Sequence, residues 1–180
     1  MKNVIEFTHA MLQDHLTADS VVIDATCGNG HDTLFLAGRA RHVHAFDIQD
    51  SAIQATKTRL ASNGLTNVTY HPMSHTAIGD VVDEPVRAVI FNLGYLPGSD
   101  KSVTTTYQTT LAALKSAMGR LEKTGVIAMV LYPGHPQGME EVEHIELFLQ
   151  SLPAHYLISK HTMVNRHNAP FLIFIQQRSV

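Results

Sequence analysis

The chain has 180 residues and a mass of 19.8 kDa, the size of one domain, and its 44% hydrophobic residues suffice for one buried core. Thirteen Lys and Arg against sixteen Asp and Glu give a net charge of −3, which excludes a polybasic nucleic-acid binder but not a local basic patch. One cysteine, Cys27, excludes an internal disulfide framework and a multi-cysteine zinc site, and it fits a reducing cytoplasm. The first residues, MKNVIEFTHAMLQDHL, contain no apolar run of signal-peptide length, and no stretch reaches the roughly 20 apolar residues that span a bilayer. A cytoplasmic protein without a membrane partner is expected.

Short apolar runs alternate with amphipathic stretches, the pattern of βαβ units. The spacing predicts a helix over 4–16, a buried strand over 21–25 and a helix over 31–40 anchored by Leu34, Phe35 and Leu36. A strand over 42–46 and a helix over 50–62 follow, the latter stopped by Asn63-Gly64. Strands are predicted over 68–71 and 87–91, then a long helix over 105–121 and an apolar strand over 126–132. An acidic helix over 138–152 follows, whose Glu140, Glu141, Glu143 and Glu146 are expected to face solvent. Two last strands, 154–161 and 170–176, have no helix between them and should pair antiparallel. The expected fold is a single α/β domain over 1–180. It is a Rossmann-like, mostly parallel seven-stranded sheet with an antiparallel C-terminal edge hairpin and helices on both faces. Such sheets bind ligands at the carboxyl ends of the strands, where strand order reverses.

The segment Asp24-Ala-Thr26-Cys-Gly28-Asn29-Gly30-His-Asp32-Thr33 leaves the first strand and enters a helix. Gly28 and Gly30 permit a tight turn, and the helix start offers free N–H groups. Thr33 stands where a dinucleotide fingerprint has its third glycine, which disfavours NAD. Asp47, nineteen residues after Gly28, ends the second strand and can accept both ribose hydroxyls of an adenosine. A ribose site with this loop points to S-adenosylmethionine, with Asp24 toward the cofactor's amino-acid end, Ile48 and Gln49 beside Asp47, and Ile48 against the adenine. Ser74 or His75, after the third strand, can bond the adenine; the other reading of Ser74 is a cap on a short helix. The pair His42-x-His44 lies on one strand face, but nothing supplies a third ligand, and no metal is expected.

Phe91-Asn92-Leu-Gly-Tyr95-Leu96-Pro97-Gly follows the fourth strand and resembles the Asn-Pro-Pro-Tyr motif of amino-group methyltransferases. Asn92 and Tyr95 would orient a target amine, with Leu93 and Gly94 in place of the two prolines. Methyl transfer depends chiefly on in-line positioning. An ammonium has no lone pair, so a proton acceptor is needed; His135 is the first candidate and Tyr95 the second.

Taken together, DATCGNGHDT, FDIQ, SHT, FNLGYLPG, YPGH and NRHNAP resemble the small bacterial methylases labelled putative rRNA methylases, in the same order over almost the whole chain. Within that group the chain is similar to methyltransferases of 5-aminomethyl-2-thiouridine at the tRNA wobble position. The resemblance implies an S-adenosylmethionine-dependent N-methyltransferase giving 5-methylaminomethyl-2-thiouridine and S-adenosylhomocysteine (SAH). The chemistry agrees, since Cys27 sits in the cofactor loop and not at the reacting edge. Leu96, Pro97, Lys101, Asn165, Arg166 and His167 are the expected substrate or RNA contacts, with Lys160 and His161 adding charge. The domain, alone or as a homodimer, would read the single-stranded anticodon loop. Other readings are another RNA, a small-molecule amine, or a non-catalytic nucleotide-binding module.

Overall fold

The computed structural model describes residues 3–94 and 105–178. Helix α1 (Val4–Gln13) opens on a capping box in which Asn3 and Glu6 bond each other's backbone N–H. Strand β1 (Val21–Asp24), α2 (His31–Ala37), β2 (His42–Phe46), α3 (Asp50–Ser62) and β3 (Val68–His71) follow. A 3₁₀ turn (His75–Ala77) runs into α4 (Ile78–Val81), a short helix that periodicity did not predict. Then come β4 (Val86–Asn92), α5 (Tyr107–Arg120), β5 (Leu121–Leu131), α6 (Pro136–Gln150), β6 (Tyr156–His161) and β7 (Phe171–Gln177).

The strands form one sheet in the order β3-β2-β1-β4-β5-β7-β6. The first five are parallel, and β7 is antiparallel to both β5 and β6. The expected seven strands and antiparallel edge are therefore present. Alternation along the strands feeds two cores. Val21, Ile23, Val89, Phe91, Ile127 and Met129 point to the face covered by α4, α5 and α6. Val22, Ala88, Ile90, Ala128 and Val130 point to the face covered by α1, α2 and α3. Central strands buried on both sides read as unbroken apolar runs for this reason.

Two expectations are corrected. Strand β5 begins five residues before 126, because Lys123-Thr124-Gly125 is a bulge within the strand and not a turn before it. Between the pairs Val86–Leu121 and Ala88–Val126, β5 advances five residues and β4 two, with Thr124 at φ 69°. Glu141 does not face solvent: it is buried, accepting bonds from Thr110 Oγ1 at 2.6 Å and Thr105 Oγ1 at 3.2 Å. Burial pushes its carboxyl above the usual range, and the two hydroxyls offset part of that rise. This carboxyl ties the start of α5 to α6.

Among the described residues no helix is long and apolar enough to cross a membrane.

Candidate active site

Strand order reverses between β1 and β4, and there the loops after β1 to β5 surround a cavity of about 900 Å³. From the first loop Thr26, Gly28, Asn29 and Asp32 line it; from the second, Asp47, Ile48 and Gln49. Ser74 and His75 follow β3, Asn92 ends β4, and His135 starts α6.

The first loop is shaped by backbone conformations that glycine tolerates. Gly28 has φ 50° and Gly30 φ 78°. A Cβ on Gly30 would lie 2.8 Å from Thr56 Cα, so the loop packs directly on α3. Thr56 Oγ1 also donates to Gly28 O at 3.0 Å. Asp47 holds the loop from the other side, accepting Gly28 N at 3.0 Å on one oxygen and Gln49 N at 2.9 Å on the other. Ile48 N–H lies close to the same carboxylate, which still has acceptor capacity facing the cavity for the ribose.

Asp24 and Thr33 lie beneath the cavity and do not line it. Asp24 is fully buried, accepting Thr33 Oγ1 at 2.6 Å and Thr26 N at 3.2 Å. The threonine at the fingerprint's glycine position thus satisfies a buried acid. Burial, with the Asp32 carboxyl alongside, pushes Asp24 up to about 8. Burial likewise raises Asp47 above the usual carboxylate range. Cys27 lines the cavity, and its thiol is raised by burial and by Asp24, so it is not a nucleophile.

Asn92 sits at the centre of a hydrogen-bonded chain. Its backbone N–H donates to Thr26 Oγ1 at 2.8 Å, its Nδ2 to Asp32 at 3.1 Å, and its Oδ1 accepts Tyr132 OH at 2.9 Å. Burial, then the nearby Asp32, pushes Tyr132 up to about 12, so its hydroxyl stays a donor. Asp32 also meets His9 Nε2 of α1 at 2.6 Å. Among the described residues only Tyr132 donates to Oδ1, which leaves its second lone pair for a ligand.

His135 lines the cavity, and its Nδ1 caps α6 by accepting Gly138 N at 3.0 Å. In a neutral ring that bond leaves the proton on Nε2. Ser74 Oγ accepts from Thr76 N and Thr76 Oγ1, the capping role that was the alternative reading. The His75 ring is buried, with backbone carbonyls of Ala25 and Thr109 close to it. Asn165, Arg166 and His167 are exposed and do not line the cavity, whereas Asn168 and Pro170 of the same segment do. Tyr95, Leu96, Pro97 and Lys101 lie outside the described residues.

Sequence reasoning missed His9, Tyr132, Thr105, Thr109, Asn168 and Pro170 as parts of the site. Tyr132, Asn168 and Pro170 stand inside the motifs YPGH and NRHNAP, which were the available signal. His9 lies in the opening helix, and nothing local marked it.

This cavity fits an adenosyl sulfonium. Asp47 has acceptors for the ribose, and the acidic side chains of Asp24 and Asp32 lie under and in the wall beside it. Sheet order, first loop and cavity together define a class I S-adenosylmethionine-dependent methyltransferase.

The model of the family described as "Putative rRNA methylase" matches residues 43–177, and the chain belongs to that family. A chloroplastic tRNA (mnm(5)s(2)U34)-methyltransferase of Arabidopsis thaliana is 40% identical over 192 residues, covering 98% of this chain and 70% of its own. A "putative rRNA-methylase" of Clostridium thermocellum is 37% identical with a TM-score of 0.95, covering 98% of each chain. A "putative methyltransferase" of Streptococcus mutans, solved with SAH, is 37% identical with a TM-score of 0.92. It covers 98% of this chain and 99% of its own.

The acidic wall has a measurable consequence. A group titrating at about 8 is mostly protonated at neutral pH, and a cation beside it favours the carboxylate. Binding of S-adenosylmethionine at pH 7 is therefore expected to release up to about one proton, and neutral SAH less. Titration calorimetry in buffers of different ionisation enthalpy counts the protons. Equal release with both ligands would show that the positive centre lies away from Asp24.

Proposed function

We propose that this protein methylates the exocyclic primary amine of 5-aminomethyl-2-thiouridine at the tRNA wobble position, giving 5-methylaminomethyl-2-thiouridine. The observation that carries the reading is the Asn92 amide. It lines the cavity with its oxygen holding a spare lone pair, the acceptor that an amine N–H needs. The Arabidopsis relative is named as a methyltransferase of the same wobble nucleoside, which supports the reading.

When bound, S-adenosylmethionine supplies an electrophilic methyl group. Asp47 would hold its ribose, and the loop around Gly28 its amino-acid end. Asn92 Oδ1 accepts one N–H of the substrate amine and turns the nitrogen lone pair toward the methyl. Orientation of this kind contributes the larger part of the acceleration in a displacement between two bound groups. No cysteine adduct is needed, because the nucleophile is an amine and not a ring carbon. Asn165, Arg166 and His167, exposed on the segment whose Asn168 and Pro170 line the cavity, offer the RNA one guanidinium and several donors. The acidic helix α6 carries Glu140 and Glu143 on its exposed side, away from phosphates.

The test is a nucleoside mass analysis. Pure protein, S-adenosylmethionine and tRNA bearing 5-aminomethyl-2-thiouridine should yield that nucleoside heavier by one methyl. No gain from a preparation that binds SAH would reject the substrate and leave the methyltransferase class standing.

A further inference from the structure

An asparagine amide can sit two ways, related by a flip that exchanges Oδ1 and Nδ2. Only one of them serves an amine, and the surroundings of Asn92 select it. The Asp32 carboxylate can only accept, and it faces Nδ2 at 3.1 Å. The flipped amide would set its oxygen against that carboxylate. Tyr132 OH donates to Oδ1 at 2.9 Å; against a flipped amide that hydroxyl would have to turn round and accept from Nδ2. Asp32 is itself fixed: it is buried, and its other oxygen meets His9 Nε2 at 2.6 Å. The His9 ring lies flat on Phe35, with centroids 4.0 Å apart and planes 5° apart. His9 comes from α1 on the outside of the sheet, and it ties that helix to the end of β4 through two side chains.

We infer that His9 and Tyr132 are positioning residues for methyl transfer. His9 holds Asp32, and Asp32 and Tyr132 hold the Asn92 amide with Oδ1 as the acceptor. This deepens the amine-methylation reading above and rests on it. The chain has a direction as well as a shape. A carboxylate bonded to Nδ2–H draws electron density through the amide toward Oδ1, which strengthens Oδ1 as an acceptor. In the transfer the amine lone pair forms the N–C bond, the C–S electron pair stays on sulfur, and the methylated ammonium then loses one proton to water. Positive charge grows on the substrate nitrogen along this path. A polarised acceptor therefore contributes more in the transition state than in the bound ground state. Loss of either positioning residue should lower kcat more than it raises KM.

The experiment compares His9→Leu, His9→Gln and Tyr132→Phe with the wild type in steady-state methylation of tRNA bearing 5-aminomethyl-2-thiouridine. His9→Leu and Tyr132→Phe are each expected to lower kcat about tenfold, the effect of one lost hydrogen bond at the reacting centre. The KM for tRNA and the Kd for SAH should stay within about twofold, which also shows that the variants fold. His9→Gln, whose side-chain amide can donate to Asp32, should regain most of the loss. A second readout does not use activity. The Asn92 side-chain amide, assigned in a nitrogen-15 spectrum by its disappearance in Asn92→Ala, should shift and exchange faster with solvent in His9→Leu and Tyr132→Phe.

Unchanged kcat in both variants, or an unchanged Asn92 amide signal, would overturn the inference. So would raised KM and Kd at unchanged kcat, which would make His9 a part of the binding surface alone. Failure of the reaction reading appears in the wild type itself, as no methyl on the aminomethyl nucleoside. Failure of the positioning inference appears only in the variants, and the amide spectrum decides the holding contacts in either case.

Discussion

Asn92→Ala is expected to lower methyl transfer to the aminomethyl nucleoside about a thousandfold, the order seen when a preorganised group at the reacting centre is removed. SAH should still bind within about twofold. The two effects separate because the backbone and side chain of Asn92 do different things. Its N–H donates to Thr26 Oγ1 and fixes the end of β4 beside the first loop, and alanine keeps that bond. In the proposed reaction its amide oxygen is the amine's acceptor, and alanine has none. The truncation also leaves Asp32 without its Nδ2 donor and the Tyr132 hydroxyl without its acceptor. Those losses should cost about 1–3 kcal/mol of stability, which thermal unfolding would register. Asn92→Asp is the sharper control, since it keeps the shape but sets a second carboxylate against Asp32. Its activity should be as low as that of alanine. Single-turnover rates and SAH calorimetry on the same preparations make the comparison. A rate for Asn92→Ala within tenfold of the wild type would remove Asn92 from the reacting centre.

The second large effect falls on cofactor binding. Asp47→Ala should weaken SAH about a hundredfold, because two hydrogen bonds from ribose hydroxyls to a carboxylate contribute roughly 1.5–3 kcal/mol each before desolvation is counted. The same carboxylate accepts Gly28 N and Gln49 N, so its loss also loosens the loop that cradles the cofactor. Asp47→Asn retains one acceptor and should lie between the two, about tenfold weaker than wild type. Calorimetry with SAH reads all three. Binding by Asp47→Ala within threefold of wild type would place the ribose elsewhere. The raised carboxyl of Asp47 adds a direction to this result. Wild-type binding should weaken as pH falls into the range where Asp47 takes up a proton, and Asp47→Asn should lack that dependence.

Much of the architecture was legible in the residues, and the reason is periodicity. Val21 to Ile23 and Val126 to Leu131 are buried on both faces, so they appear as unbroken apolar runs. The lack of a helix-length segment between β6 and β7 left antiparallel pairing as the economical arrangement, and the sheet has it. Boundaries failed where local chemistry ran against pattern. Lys123-Thr124-Gly125 looks like the end of a helix, yet it is a bulge inside β5, because pairing of Leu121 with Val86 extends the strand backwards. Glu141 looks like one of several exposed acids, yet Thr105 and Thr110 draw it inside. No spacing rule reports that, since those hydroxyls come from another helix.

The candidate site divides along the same line. Loops that leave the carboxyl ends of parallel strands must meet, so a sequence that shows the strands also shows which loops share a cavity. Gly28, Asp47, His75, Asn92 and His135 could be picked out one by one, and the structure brings all five to one cavity. Their roles toward each other could not. The tautomer of His135 depends on a helix that begins at the next residue, and the burial of Asp24 depends on a hydroxyl nine residues on. The chain His9–Asp32–Asn92–Tyr132 draws one side chain each from α1, α2, β4 and the loop after β5. Sequence by itself determined the fold class, the kind of cofactor and the loops that line the cavity, because hydrophobic period and turn chemistry are local. Only the tertiary structure decided which polar atoms are already bonded to one another and which are left for a ligand, because hydrogen bonds form between neighbours in space.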